Sequence, residues 1–389
     1  MRDSLSSRSA VASLVSARIV YAINWLNIGA IFVLMSPDLG SGTAGLGVLT
    51  SSFYLGLGLM QIPGGVSAAR WGPKKVVVFG ILLSSSAALG TAASSTITEI
   101  AVLRFFVGTG MAFVFAPAVV LVARHLGGRT GAGVGLFNSA YDVGGLVGIF
   151  GWVVIATEEG WRQSLVLSGG LGLLTALLVA RYVPDDIVGS VGGVDVNSLV
   201  RILANKQLIL LGFGALGITV ANVLISGFMV EYIVRSLHYP PVTAGLIASM
   251  VVILPIFTAI WGGRMYERVT RARTVMIFTL LGCGLSLLLC SYPSIYTALG
   301  CAIIGGMASG VGFTFAFAGA KDLNRTDVRY DGLAIAWVNG ISLTGAFVPP
   351  LFYAFFVGTQ GYSVAWQASA VLCLLFLVPV ILMVDRYRR

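Results

Sequence analysis

Of the chain's fifteen acidic residues, only Asp142 and Glu231 fall inside its long apolar stretches. A charge at the centre of a bilayer costs about 2.5–3.5 kcal/mol on insertion scales, so a deep acid calls for an explanation. Asp142 lies about 11 residues into its stretch, roughly 17 Å at 1.5 Å per residue, close to the midplane. Arg104 lies about seven residues, roughly 10 Å, inside the preceding stretch. Consecutive stretches run antiparallel, so the two groups can come within reach directly or through water. Proton uptake and anion binding are the chemistry open to such a pair. Burial disfavours an ionised carboxylate, and a nearby guanidinium favours it. A partner that comes and goes with conformation would load and unload a proton on Asp142, while Arg104 holds either Asp142 or an anionic solute. The alternative is a fixed pair that ties two helices together.

Uncharged polar groups sit at similar depth. Asn24, Asn27, Asn138, Asn222 and Asn339 are mid-stretch amides, and Gln61 and Tyr141 are of the same kind. Buried amides need partners, which a bound solute, pore water or a neighbouring helix can supply. Trp25, Phe313, Phe315, Phe317 and Trp337 either line an apolar pocket or pack. Arg18 falls near the expected start of the first stretch, where its long stem would let the charge reach the interface. Glu231 and Arg235, four apart near the far end of their stretch, are placed to pair on one helix face.

Catalytic chemistry has little to work with. Cys283, Cys290, Cys301 and Cys373 lie inside apolar stretches without metal-ligand spacing. His125 and His238 fall on opposite sides of the membrane. No Ser/His/Asp set and no phosphate-binding glycine loop ending in Lys-Ser/Thr is present. No catalytic residue, metal or cofactor is expected, and the chain does not read as an enzyme.

The elements that carry these residues follow from composition. The hydrophobic fraction is 57% and only 10% of residues are charged, with a mean hydropathy of +0.94. Stretches of roughly 20 apolar residues, the length that crosses about 30 Å of hydrocarbon, recur along the whole chain. Twelve spans are predicted, near 14–36, 44–69, 76–95, 98–123, 131–156, 162–183, 207–234, 242–265, 274–292, 295–320, 332–357 and 363–384. The first is too long for a cleaved signal peptide and lacks a small-x-small site after it. With the N-terminus inside, all of the 24 basic residues except Arg104, Arg162 and Arg235 fall on or near the inner side. That bias fixes both termini in the cytoplasm. It also accounts for the net charge of +9 without nucleic acid as a partner. A multi-pass protein of the plasma membrane is expected.

The spans come in two sets. Gly65 and Gly263 each open a basic turn, 198 positions apart. Asn24 and Asn222, and Gly108 and Gly306, keep the same spacing, while Asn138 and Asn339 stand 201 apart. Gly160-Trp161-Arg162-Gln163-Ser164 before the sixth span is matched to Ala365-Trp366-Gln367-Ala368-Ser369 before the twelfth. The expected units are a six-helix bundle over 1–183, a cytoplasmic linker over 184–206, and a second bundle over 207–389. Leu199, Ile202 and Leu203 beside Arg201 and Lys206 suggest a short amphipathic helix in the linker, with a plain loop as the alternative. The repeat places Leu343 opposite Asp142 and Ala302 opposite Arg104, so deep charge belongs to the first half.

The motifs resemble the major facilitator superfamily. Its loop after the second span reads Gly-x-x-x-Asp-Arg-x-Gly-x-Arg/Lys-Arg/Lys. Gly65, Arg70, Gly72, Lys74 and Lys75 match, with Ala69 in place of the acid; in the second copy Gly263, Glu267 and Arg268 match, and Thr270 replaces the second glycine. Arg104, Gly108 and Gly110 match the fourth-span pattern Arg-x-x-x-Gly-x-Gly. Ala140-Tyr141-Asp142-Val143-Gly144-Gly145 keeps the glycines of the drug-antiporter motif but lacks its proline. The resemblance implies an all-α integral membrane fold of twelve transmembrane helices in two pseudo-symmetric six-helix bundles. It implies secondary transport by alternating access, with the two basic turns helping to gate the cytoplasmic side. The expected cargo is a small organic solute, with a lean to a carboxylate or other small anion, and the expected coupling ion is a proton. Candidate substrate contacts are Arg104, Asn24, Asn27, Gln61, Asn138, Tyr141, Asn222, Asn339 and Trp337; candidate coupling residues are Asp142 and Arg104. The solute, protons and the lipid bilayer are the expected partners of a monomer. A drug or metabolite exporter and a non-transporting membrane sensor stay open as alternatives.

Overall fold

A computed structural model of the chain describes residues 2–126, 130–184, 196–324 and 331–384. Among the described residues every regular element is helical. The chain divides into two compact units, Met1–Val191 and Gly192–Arg389.

The first unit holds α1 (Arg2–Met35), α2 (Thr43–Leu59), α3 (Gln61–Trp71), α4 (Pro73–Ala93), α5 (Ile97–Ala112), α6 (Phe115–His125) and α7 (Thr130–Leu146). A π-helical turn over Val147–Gly151 leads from α7 into α8 (Trp152–Glu159), and α9 (Trp161–Tyr182) follows. The second unit holds α10 (Val196–Leu203), α11 (Lys206–Leu237), α12 (Pro241–Arg268), α13 (Ala272–Leu289), α14 (Ile295–Leu323), α15 (Asp331–Gly345), α16 (Val348–Gln360), α17 (Tyr362–Leu375) and α18 (Leu377–Ile381). Among the described residues eleven helical segments are long and apolar enough to cross a membrane. The pair α2–α3, bent by 43° at its break, makes the twelfth. The helices end where local chemistry ends them. Thr96 and Glu99 form a reciprocal capping box at the start of α5. Asn205 caps α11, and Ser294 caps α14.

Small residues set the helix spacing. A Cβ on Gly108 would collide with the Phe53 carbonyl oxygen of α2, and one on Gly56 would collide with the Phe105 carbonyl oxygen of α5. The second unit repeats the contact: a Cβ on Gly306 would lie 2.8 Å from the Met250 carbonyl oxygen of α12. Gly144 and Gly148 do the same for α7 and the turn after it against Ile19 and Ile23 of α1. Close backbone approach of this kind is how membrane helices gain packing energy. Gly108→Ala is expected to cost about 1–3 kcal/mol through overpacking, read as a lower midpoint of thermal unfolding in detergent.

The two basic turns are built differently. Gly72 takes φ +89° and leads into Pro73 at the first position of α4. Thr270 stands at the matching place, and among the described non-glycine residues only His238 has a positive φ. α12 therefore ends at Arg268, before Thr270, without the left-handed step. Gly72→Ala should cost about 1–3 kcal/mol, because φ +89° with ψ 139° is a backbone conformation that a residue with a Cβ rarely adopts, whereas Thr270→Gly should shift the unfolding midpoint little.

Two expectations on register change. The first membrane helix starts well before residue 14, with its apolar span over Ser7–Met35, because the serines and alanines of its opening turns are compatible with helix. Gly160 and Gly361, at φ +93° and +84°, precede α9 and α17 in the same way. Tyr362 therefore corresponds to Trp161, and Trp366 lies one turn inside α17, where it is buried. The linker segment forms the helix α10, and its Ile202 is buried where α10 packs on α15 and α11. Positions 185–195 lie outside the described residues.

Candidate functional site

The deep charges of the first unit sit on α1, α5 and α7. Arg104 is 4% exposed. Its Nη1 donates to the Asn24 carbonyl at 2.8 Å and its Nη2 to the Trp25 carbonyl at 3.3 Å. Its guanidinium lies 4.5 Å from the centre of the Phe53 ring. Arg104 thus fastens α5 to α1. Among the described residues it makes no ion pair with Asp142, so the expected Arg104–Asp142 pair is replaced by bonds to backbone carbonyls. The physical reason is reach. The Gly56–Gly108 contact draws α5 against α2, and the arginine on that helix meets the α1 backbone first.

Arg18 is the larger departure. It was expected near the interface, yet it lies eleven residues inside the span that opens at Ser7, roughly 16 Å along the helix. It is 5% exposed. Four rings surround its guanidinium: Tyr21 at 4.4 Å, Tyr141 at 4.6 Å, Phe137 at 4.8 Å and Phe115 at 4.9 Å. Each cation–π contact of a desolvated arginine contributes about 0.5–2 kcal/mol, which offsets much of the cost of burying the charge. Its Nε and Nη1 have no hydrogen-bond partner among the described residues. The snorkelling expectation is therefore corrected: the helix begins too early for this residue to be near its end. Tyr21 one turn along α1, with Tyr141 next to Asp142, is the sequence signal that marks the cage.

Asp142 is half-buried on α7. The positive charge acting on its carboxyl is that of Arg18, although no ion pair within 4.0 Å joins them among the described residues. The close approach of Gly144 to Ile19 brings α7 against α1 and so holds Tyr141 and Asp142 beside Arg18. The ring cluster continues past the cage. Trp25 meets Tyr21, Phe53, Tyr54 and Tyr141 at centroid distances of 5.2–5.8 Å, and its Nε1 donates to the Tyr54 hydroxyl at 3.0 Å.

The amides divide. The Asn24 Nδ2 donates to the carbonyls of Val20 and Ser168, and the Asn27 Nδ2 to the Ser168 hydroxyl at 3.4 Å. Both therefore turn toward α9 and bind helix to helix. Their Oδ1 atoms are buried and lack a partner among the described residues. Asn138 is exposed on α7, one turn before Tyr141 and Asp142. Gln61, half-buried, opens α3 at the bend, and its Nε2 is without a partner among the described residues. In the second unit Asn222, Asn339 and Trp337 are half-buried. They are not among the residues of the Arg18 cage. Leu343 and Ala302, opposite Asp142 and Arg104 in the repeat, are buried and apolar.

The second unit carries a different charge. Glu231 is fully buried, accepts from the Tyr362 hydroxyl at 2.7 Å and pairs with Arg235 at 3.4 Å. Tyr353 and Trp366 stack beside it in a ring cluster with Tyr232. The expected Glu231–Arg235 pair is present.

The residues expected to gate lie on α3, at the turn into α4 and in the last turns of α12. Gly65, Arg70, Lys75, Glu267 and Arg268 are exposed, Lys74 and Gly263 are half-buried, and Gly72 is buried in its turn. Beside the second basic turn, the buried Tyr266 donates to Asp322 at 2.8 Å and ties the end of α12 to α14. Among the described residues no group of three His, Cys, Asp or Glu side chains is arranged to hold a metal. The four cysteines are buried thiols.

Among the described residues, eleven long apolar helical segments and one bent pair carry a buried guanidinium ringed by aromatic side chains, with an acid on the neighbouring helix. The family model of the Major Facilitator Superfamily matches residues 14–224 and again 211–389, and the chain belongs to that family. It is 29% identical over 164 residues to a probable sulfoacetate transporter of Cupriavidus necator; the match covers 42% of this chain and 38% of that protein. It is 22% identical over 372 residues to a probable galactarate/D-glucarate transporter of Escherichia coli, covering 84% of this chain and 82% of that one. The fold matches the crystal structure of a bacterial homolog of the human lysosomal transporter Spinster, in an inward-facing and occupied conformation. The TM-score is 0.79, with 15% identity over 95% of this chain and 94% of that one.

Proposed function

We propose that this protein carries a small organic anion across the membrane by alternating access, and that a proton moves with it on Asp142. The observation that carries the reading is the charge inventory of the first unit. It holds two buried guanidinium groups, Arg18 and Arg104, against one half-buried deep acid, Asp142, and of the two only Arg18 acts on that acid. A membrane interior with excess positive charge attracts anions and costs free energy when left empty. The relatives named above are described as probable transporters of sulfoacetate and of galactarate and D-glucarate, all small anions, which supports the same class. An acid that shares its arginine with an incoming anion is pushed toward the neutral form, because the favourable charge is then in use. Anion and proton would travel together for that reason. Asn138 and Tyr141, on the same helix as Asp142, are proposed to contact the solute, and the exposed basic turns are proposed to act in gating.

The test is uptake into proteoliposomes against a panel of small carboxylates and sulfonates, with and without an imposed pH gradient. Uptake of at least one acid that rises when the outside is acidified supports the reading. Absence of flux for every acid in the panel, with the protein folded and correctly inserted, sinks it.

A further inference from the structure

We infer that Arg18 is the anchor for the anionic group of the cargo, and that the rings around it favour carboxylates carried on a flat, unsaturated or aromatic body. The inference rests on the reading of the chain as an organic-anion transporter. The four rings stabilise the guanidinium charge through their faces, and the Tyr21 hydroxyl acts on it as a hydrogen-bond partner, but neither serves Nε or Nη1. Nε and Nη1 therefore remain buried donors without an acceptor among the described residues. An oxyanion supplies what is missing, since planar carboxylate oxygens match the guanidinium fork. Arg104 is less suited to this role: its Nε is also a buried donor without a partner among the described residues, but its Nη1 and Nη2, the outer arms of the fork, are committed to the carbonyls of Asn24 and Trp25.

The body of the ligand is set by what lies next to the cage. Phe115 and Tyr141 are half-exposed while Phe137 and Tyr21 are buried, so the cage is open along the first two. From Tyr141 the open aromatic surface runs on to Trp25, also half-exposed, which is backed by the buried rings of Phe53 and Tyr54. A flat conjugated acid held at Arg18 can meet these rings edge-to-face or offset-stacked, and a short saturated acid cannot.

The experiment is calorimetric titration of the purified full-length protein in detergent with benzoate, benzamide and propionate, on the unmodified chain and on Arg18→Gln, Arg18→Lys and Tyr141→Leu. Benzoate should bind, and the neutral benzamide should bind about 50-fold more weakly or not at all, because a buried cation discriminates charge strongly. Arg18→Gln should weaken benzoate by about 100-fold, and Arg18→Lys by about tenfold, since the ammonium keeps the charge and loses the fork. Tyr141→Leu should weaken benzoate by about 3- to 10-fold and weaken propionate by a smaller factor. Benzoate binding that is equal in the unmodified chain, Arg18→Gln and Arg18→Lys overturns the anchor. If Arg18→Gln does not fold, equal affinity for benzoate and benzamide in the unmodified chain overturns it instead. Propionate bound as well as benzoate overturns the preference for flat acids. An anion that is carried by the unmodified chain and by Arg18→Gln at the same affinity removes Arg18 while leaving the transport reading intact. No anion bound or carried at all removes both.

Discussion

Asp142→Asn will abolish accumulation of the cargo against its gradient and leave exchange of internal for external cargo running. Asparagine keeps the size and shape of the side chain but carries no proton between states. For one proton moved per monovalent anion, a one-unit pH gradient supports about tenfold accumulation, because 1.36 kcal/mol is one decade. The variant should show no accumulation above the equilibrium level, and counterflow in proteoliposomes without a gradient should persist. Asp142 supports this role by position: it is half-buried, deep in the membrane, and acted on by a guanidinium that is itself short of acceptors. Accumulation that survives the change would move the proton elsewhere. Glu231 would be the next acid to test, held as it is by Tyr362 and Arg235.

Arg104→Gln should act mainly on stability. Arg104 makes two charge-assisted hydrogen bonds to α1 and stacks on Phe53. Hydrogen bonds to a charged group contribute about 1.5–3 kcal/mol each, and glutamine is too short to restore both. A loss of about 2–4 kcal/mol is expected, seen as a lower unfolding midpoint and a larger fraction of aggregated protein. The folded fraction should bind acids with nearly the affinity of the unmodified chain. The reverse outcome, unchanged stability with lost acid binding, would return Arg104 to the anchoring role that its motif first suggested.

The architecture was readable because the bilayer is a severe solvent. Runs of apolar residues, the inward bias of Arg and Lys, and the spacing of Gly65 and Gly263 leave few alternatives. The pairing of buried charges was not readable, since depth along a helix says nothing about rotation or the neighbour faced. Arg104 and Asp142 are at compatible depths, yet the glycine contact Gly56–Gly108 takes one toward the α1 backbone, and Gly144 sets the other beside Arg18. Arg18 was missed for a plainer reason. Its polar, serine-rich approach obscured where the first helix begins, and a shift of one or two turns separates an interfacial arginine from a core one. The match of Gly160 to the second half slipped by one turn because the Trp366 pattern was more conspicuous than the Gly361 bend.

Asn24 is held at both of its ends. Its main-chain oxygen receives Arg104 from α5, and its side-chain amide reaches Ser168 on α9. One residue is thus a rivet through three helices. Prying α5 from α1 would first break a charged hydrogen bond worth about 1.5–3 kcal/mol, so over a transport cycle α1, α5 and α9 should travel as a single girder.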